Sequence, residues 1–364
     1  MSNPFSFSGT VADRGFCNRK QEQKDIIDFI NNSENVLLHA NRRMGKTSLI
    51  YKIFSKLDKN ITHLYIDLYG TVSENDFIEA LMKNAGQLES RSEKLLKTAK
   101  EIFRSSNVSL SIDPVTNLPS LTPVFGSSKK SLLLENAMLL LERYSEKKRM
   151  VIVFDEFQEI ENYSGGEFEK RLRGFIQRHD RISYIFAGSR QHILAGMFNS
   201  KGKAFYKLAH SYPLSEIEED DYIKWIKRLF ANKKKISDNL IIEVVNLCER
   251  HPMYIQQFFY HLWDADLKNP DIIDQTLDLI LLRNRNEYMN IWDSLTLNQR
   301  KTLKLIAANE GKELYSADSL KSVSLTTPSQ VTKTLQSLTQ KDIIQKNGVY
   351  KIQDVMFKQW ILRL

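Results

Sequence analysis

Cysteine is nearly missing from this chain. Two occur in 364 residues, Cys17 and Cys248, far apart and without metal-ligand spacing. That excludes a disulfide framework and a thiolate metal centre, and points to two small buried side chains. Long apolar runs are missing too: nothing approaches the roughly 20 consecutive residues that cross a bilayer. The stretch Met1 to Thr10 is polar, is interrupted by Pro4 and lacks the apolar core of a signal peptide, so the cytoplasm is the expected location. There is no internal repeat and no low-complexity linker. His179, His192, His210 and His251 lack ligand spacing and read as structural.

What remains is a chain with 42% hydrophobic residues, long enough for two or three domains with real cores. Its net charge of +8 is unevenly placed. From Thr296 onward eleven basic residues stand against five acidic ones, so most of the excess lies in the last fifth of the chain. A local basic excess of that kind is a candidate surface for an acidic partner.

The chain is organised around residues 36 to 48. Val36-Leu37-Leu38-His39 is an apolar, strand-like run. A bend follows, Ala40-Asn41-Arg42-Arg43-Met44, and then Gly45-Lys46-Thr47-Ser48, after which Leu49, Ile50, Ile53, Phe54 and Leu57 recur at helical spacing. Strand, loop and helix in that order bring a loop's backbone amides to a helix N-terminus, where the first-turn N–H groups lack partners and the helix dipole favours anions. The sequence fits the phosphate-binding loop G-x-x-x-x-G-K-[ST], in which Lys46 reaches the β- and γ-phosphates and the Thr47 hydroxyl ligates Mg²⁺. Ala40 departs from it by standing where the first glycine belongs. The alternative is a chance Gly-Lys-Thr on an ordinary helix.

Further along, Gln21 to Asn31 reads as a helix behind Arg19. His63 to Tyr69 reads as a second buried strand, and Ser73-Glu74-Asn75-Asp76 as a helix start. Leu95 to Phe103 is a further expected helix. Val108, Leu110 and Ile112, followed by Leu118 to Phe125, are expected as an inserted β-hairpin or an irregular loop. A helix from about Lys130 to Arg143 leads to Met150-Val151-Ile152-Val153-Phe154-Asp155-Glu156. Four or more apolar residues ending in two carboxylates describe a buried parallel strand with acids at its C-terminal edge, where open α/β sheets bind ligands. Phe168, Leu172, Phe175 and Ile176 mark the next helix, and Ile182 to Ala187 the next strand, ending at Gly188-Ser189-Arg190. Alternating strands and helices argue for a parallel sheet with right-handed crossovers.

Asp155 and Glu156 complete what Lys46 and Thr47 begin. Hydrolysis of a nucleoside triphosphate needs a metal near the β,γ-phosphates and a group that orients water. Asp155 is the expected Mg²⁺ partner, partly through water, and Glu156 the water-orienting carboxylate. Ser189 and Arg190 are candidates for a sensor between water and γ-phosphate, with a plain Gly-Ser turn as the alternative. Arg173 and Arg178 are candidates for a finger offered to a neighbouring subunit.

At Tyr212-Pro213-Leu214-Ser215 the pattern changes. Glu218 to Glu287 is helical throughout. The last segment reads as helices at Leu297 to Ala308, Ser316 to Val323 and Pro328 to about Gln340, a hairpin on Asn347-Gly348, and an amphipathic tail: a winged helix-turn-helix. The third helix presents Ser329, Gln330, Thr332, Lys333 and Gln336 outward with a single cation, which is few for sequence-specific DNA reading.

With these residues placed, the sequence resembles the archaeal-type ATPases, a prokaryotic group within the signal-transduction ATPases with numerous domains (STAND) and related to AAA+ proteins. The carrying stretches are Arg42 to Leu49, Phe154-Asp155-Glu156-Phe157-Gln158, Tyr184 to Ser189, Met197-Phe198, Tyr212-Pro213-Leu214 and Tyr350 to Asp354. The resemblance implies an ASCE-type sheet with the Ala187 strand between the phosphate-loop strand and the Asp155 strand. It also implies adenine contacts from Arg19 and the loop around Pro252; adenine over guanine rests on the resemblance alone. Departures from the family pattern are Asn18 and Arg250, each where a glycine is common, and Ala40.

The expected architecture is therefore an α/β P-loop NTPase domain over 1–214, with helices on both faces of its sheet, a helical lid over 215–292 and a winged-helix domain over 293–364. The leading expectation for activity is an ATP-binding, slowly hydrolysing switch whose nucleotide state repositions the winged helix, possessing an unnamed protein partner and open to a nucleotide-dependent homo-oligomer. The alternatives are a DNA-binding regulator and a protein that binds ATP without hydrolysing it.

Overall fold

The computed structural model describes residues 2–9, 15–88, 101–102, 108–112, 119–123, 130–163, 166–324 and 327–364. The chain divides into two compact units, one of Arg19–Ser215 and one that joins Met1–Asn18 to Glu216–Leu364. That the first eighteen residues group with the C-terminal part was not visible in the sequence.

The Arg19–Ser215 unit is built on five parallel strands: β1 (Val36–His39), β2 (Ile61–Asp67), β5 (Arg149–Asp155), β6 (Ile182–Gly188) and β7 (His210–Pro213), in the order β2-β5-β6-β1-β7. The strand ending at Ala187–Gly188 thus lies between the phosphate-loop strand and the Asp155 strand, as the resemblance implied. Pairing runs Asp67 with Asp155, Phe154 with Phe186, and Leu38 with Ala187. β7 is a strand the sequence reading did not assign. Its four residues are mostly exposed and end in Pro213, so they carry neither an apolar run nor alternation; a proline is tolerated because this is an edge strand.

Side chains alternate across each strand and so divide between two helical layers. Leu64, Ile66, Ile152, Phe154, Tyr184 and Phe186 share one buried cluster with residues of the helices Glu74–Ala85, Lys130–Ser145, Glu167–Ile176 and Gln191–Asn199. On the other face, Phe54 of the helix Lys46–Phe54 stacks on His63 at 4.3 Å between ring centroids, and Tyr51 meets Tyr65 at 5.3 Å. Asp155 shares the parity of Val151 and Val153, so it emerges on the face of the Lys46–Phe54 helix. An antiparallel hairpin, β3 (Val108–Ile112) with β4 (Pro119–Pro123), is inserted between β2 and β5. The helix expected at Leu95 to Phe103 falls largely outside the described residues.

In the second unit the helices Glu219–Phe230, Asp238–Leu247, Pro252–Leu262 and Ile272–Arg283 share one core. Phe5 enters that core from the N-terminal segment, with ring centroids 5.4 Å from Trp225, 5.7 Å from Phe259 and 6.0 Å from Trp263. Cys17 and Cys248 are both buried free thiols, and burial pushes the Cys248 thiol up. The winged helix comprises the helices Leu297–Asn309, Ala317–Ser322 and Pro328–Gln340, then β8 (Ile344–Asn347) and β9 (Val349–Ile352) paired antiparallel, then the helix Val355–Leu362. Val331, Leu335 and Leu338 point inward, while Ser329, Thr332, Lys333 and Gln336 are exposed.

Candidate active site

Every strand of the five-stranded sheet runs the same way, so the loops after β1, β5 and β6 share its C-terminal edge. The loop Ala40 to Gly45 follows β1. Its bend is made by two left-handed residues, Arg43 at φ 64° and Gly45 at φ 86°, the second being the N-cap of the Lys46–Phe54 helix. Glycine reaches that conformation without steric cost. Ala40 is buried and not among the left-handed residues, so the missing first glycine strains nothing here. Arg42 and Arg43 are exposed, Met44 and Ser48 are buried, and Asn41 is half-buried.

Lys46 is 6% exposed. Its Nζ donates to the carbonyl oxygens of Ala40 (3.3 Å) and Asn41 (3.4 Å), both of the loop itself. Burial lowers its pKa, and the Asp155 and Glu156 carboxylates oppose that shift. The ammonium is thus buried and folded over its own loop, with two carbonyl oxygens as hydrogen-bond partners. Thr47 Oγ1 donates to Asp155 Oδ2 at 3.1 Å, and the Tyr65 hydroxyl donates to the same oxygen. The other oxygen, Oδ1, accepts the Glu156 backbone N–H at 2.9 Å. A hydroxyl and a buried carboxylate side by side suit a hard divalent cation that keeps several waters, as Mg²⁺ does.

Glu156 sits past the end of β5 with φ 50°. Its Oε2 accepts from Ser189 Oγ at 2.9 Å and from Gln158 Nε2. Ser189, at the end of β6, is buried; Arg190 next to it caps the helix Gln191–Asn199 and is half-buried. Lys46, Thr47, Asp155, Glu156 and Ser189 therefore converge. A further chain of bonds supports the loop: Gln191 Nε2 donates to Asn41 Oδ1 at 2.6 Å, and Gln191 Oε1 meets His39 Nδ1 at 3.3 Å. Sequence reasoning missed Tyr65 and Gln191. Tyr65 was legible in principle, since strand parity puts it on the Asp155 face once the β2–β5 register is known; Gln191 carried no signal.

Other expected residues have partners of their own. Arg173 donates to the backbone oxygens of Ala204 and of Tyr206 (3.3 Å), so it ties its helix to the loop before β7 and is not held out as a finger. Arg178 folds back on Gly174 O at 3.1 Å and over the Phe175 ring. Arg19 is buried and left-handed at φ 62°; Nη1 donates to Glu22 at 2.8 Å and to the carbonyl of Ser215. Pro252 belongs to the second unit, where it opens the helix Pro252–Leu262. Asn18 (φ 46°) and Arg250 (φ 55°) both occupy the left-handed region, so the backbone keeps the shape that glycine would favour at those two departures.

A sheet of this order, with a phosphate loop after β1 and a carboxylate pair after its second neighbour, has the fold of the P-loop ATPases. The chain is similar over 99% of its length, and of that chain's, to the Walker-type ATPase Paby2304 of Pyrococcus abyssi, with TM-score 0.68 and 18% identity. It is also similar to the ORC2 protein of Aeropyrum pernix solved as ADPNP–ADP complexes (TM-score 0.56, 11% identity, 95% of this chain and 92% of that one). A third similar structure is the Aeropyrum pernix ORC1 protein in complex with DNA (TM-score 0.50, 11% identity, 96% and 93%). Residues 286–363 match the family model described as "Probable winged helix domain". No curated protein matches the sequence. The resemblance to archaeal ATPases and the C-terminal winged helix thus both stand, at the level of fold.

Proposed function

We propose that this protein binds ATP with Mg²⁺, hydrolyses it slowly and uses the nucleotide state as a switch for what its winged helix docks, in the manner of the STAND and AAA+ groups. The observation that carries this reading is the meeting of buried Lys46 with the Thr47–Asp155 pair and Glu156 at one sheet edge. When bound, Mg²⁺ would supply charge neutralisation at the β,γ-phosphates. Lys46 would bind and orient the phosphates, the loop amides would cradle them, Asp155 and Thr47 would hold the metal, and Glu156 and Ser189 would orient water. Arg19 as an adenine contact is part of the same reading.

ATP is expected to raise the melting temperature of the wild-type chain, and Lys46→Ala to abolish the rise. Identical melting curves with and without ATP for the wild type would refute nucleotide binding. Glu156→Gln is expected to keep the thermal shift while losing at least about 99% of phosphate release, the scale of a lost water-orienting group.

A second reading, a DNA-binding regulator with nucleotide as allosteric ligand, draws on the winged helix, the basic excess after Thr296 and the DNA complex of the ORC1 relative. The exposed face of the helix Pro328–Gln340, with Lys333 as its cation, favours a protein dock instead.

A further inference from the structure

Gln158 takes no part in the scheme above, yet it is 2% exposed and placed against the group that matters most. It lies in the turn Phe157–Asn162 directly after the two acids. Its Nε2 donates to Glu156 Oε2, the same oxygen that accepts from Ser189 Oγ at 2.9 Å. With two donors on Oε2, the remaining oxygen of the carboxylate is the one available to a water. The amide oxygen, buried and without a hydrogen-bond partner, lies close against the backbone of Gly188. An ideal Cβ built on Gly188 would fall 2.1 Å from Gln158 Oε1, so the absence of a side chain at the end of β6 creates the seat that the amide occupies. Glu156 is itself left-handed at φ 50°, a conformation that a non-glycine residue keeps only where its surroundings enforce it. Two strands and a turn thus combine to fix one carboxylate.

We propose that Gln158, seated on Gly188, is a positioning residue which with Ser189 clasps Glu156 through Oε2 and leaves Oε1 to aim the attacking water. The inference rests on the ATPase reading. In the step it serves, the water oxygen bonds to the γ-phosphorus and the bond from that phosphorus to the bridging oxygen breaks. ADP leaves, and the water proton passes by way of Glu156 to the released phosphate. Gln158 bonds Glu156 and not the phosphate loop, so it acts on turnover and not on binding.

The test uses the full chain in three variants: Gln158→Ala, Gly188→Ala and the two combined. Gly188→Ala keeps the glutamine and fills its seat, its Cβ also crowding Leu194 Cδ1 at 2.9 Å, so it breaks the clasp by a different route and serves if the glutamine variant folds poorly. Both single variants are expected to lower kcat about tenfold or more, as loss of a supporting hydrogen bond does, with the dissociation constant of a fluorescent ATP analogue within about twofold of wild type. The double variant should be no slower than Gln158→Ala, because residues that act as one unit are not additive. Unchanged or increased kcat in the single variants, or losses that multiply in the double, would overturn the clasp while leaving the ATPase reading intact. Wild-type chain with no Lys46-dependent phosphate release would overturn that reading and the clasp with it.

Discussion

Burial of single ionisable groups decides much of how this protein responds to its surroundings. His179 makes the point outside the active site. Its Nδ1 meets the Tyr184 hydroxyl at 2.6 Å, and burial, helped by Arg178, pushes its pKa down to about 4. The unfolded chain binds a proton there near pH 6.5, so between about pH 6.5 and 4 the unfolded state holds more protons than the folded one. Stability is therefore complete above that window and falls as pH drops through it. His39, His63 and His261 are shifted the same way and add to the effect. Melting temperatures measured from pH 7.5 to 4.5 should fall for the wild type and fall less steeply for His179→Gln. An equal slope in the two would mean that His179 does not titrate in this window. From sequence this histidine was legible only as structural; its partner, on the following strand, is fixed by packing.

At the scale of elements, the phosphate loop separates two glycine positions that look equivalent in the motif. Gly45 is left-handed and Ala40 is not. Ala40→Gly is accordingly expected to leave ATP affinity within about twofold and to lower stability by about 0.5–1 kcal/mol through chain entropy. Gly45→Ala should instead cost about 1 kcal/mol or more from strain, with weakened nucleotide binding measured by titration. The strand-loop-helix order was readable because the pattern switches from the apolar run Val36-Leu37-Leu38 to helical spacing. The backbone angles were not, since they depend on where β6 and its following helix hold the loop. The N-terminal segment is a second case. Phe5 is 2% exposed among Trp225, Phe259 and Trp263. Phe5→Ala should destabilise its unit by about 3–5 kcal/mol, read by chemical denaturation. Two phenylalanines, Phe5 and Phe7, in a short polar stretch gave no sign of this.

For the whole molecule, the candidate site and the basic excess belong to different units. Lys46, Asp155 and Glu156 lie in Arg19–Ser215, and the basic excess lies after Thr296 in the other. The chain passes between the units after Asn18 and again after Ser215, and Arg19 bonds the Ser215 carbonyl, tying the two crossings together. A switch should hold its partner in one nucleotide state, so pull-down with Glu156→Gln and ATP is expected to retain a partner that Lys46→Ala does not. If that partner is DNA, mobility-shift affinity should weaken steeply between 50 and 200 mM salt, by about ten- to a thousandfold for a few phosphate contacts. Absence of any shift at low salt leaves the protein dock.

The sequence by itself determined the parallel α/β sheet, the phosphate loop, the acid pair and the winged helix, because each is written in a local pattern of apolar spacing, loop chemistry and caps. Tertiary structure alone decided the pairing of β7 at the sheet edge, the burial of Lys46 over its own loop, the turning of Arg173 onto backbone carbonyls and the seating of Gln158 on Gly188. Those depend on register between strands distant in the chain and on space left by one residue for another, and no local pattern encodes either.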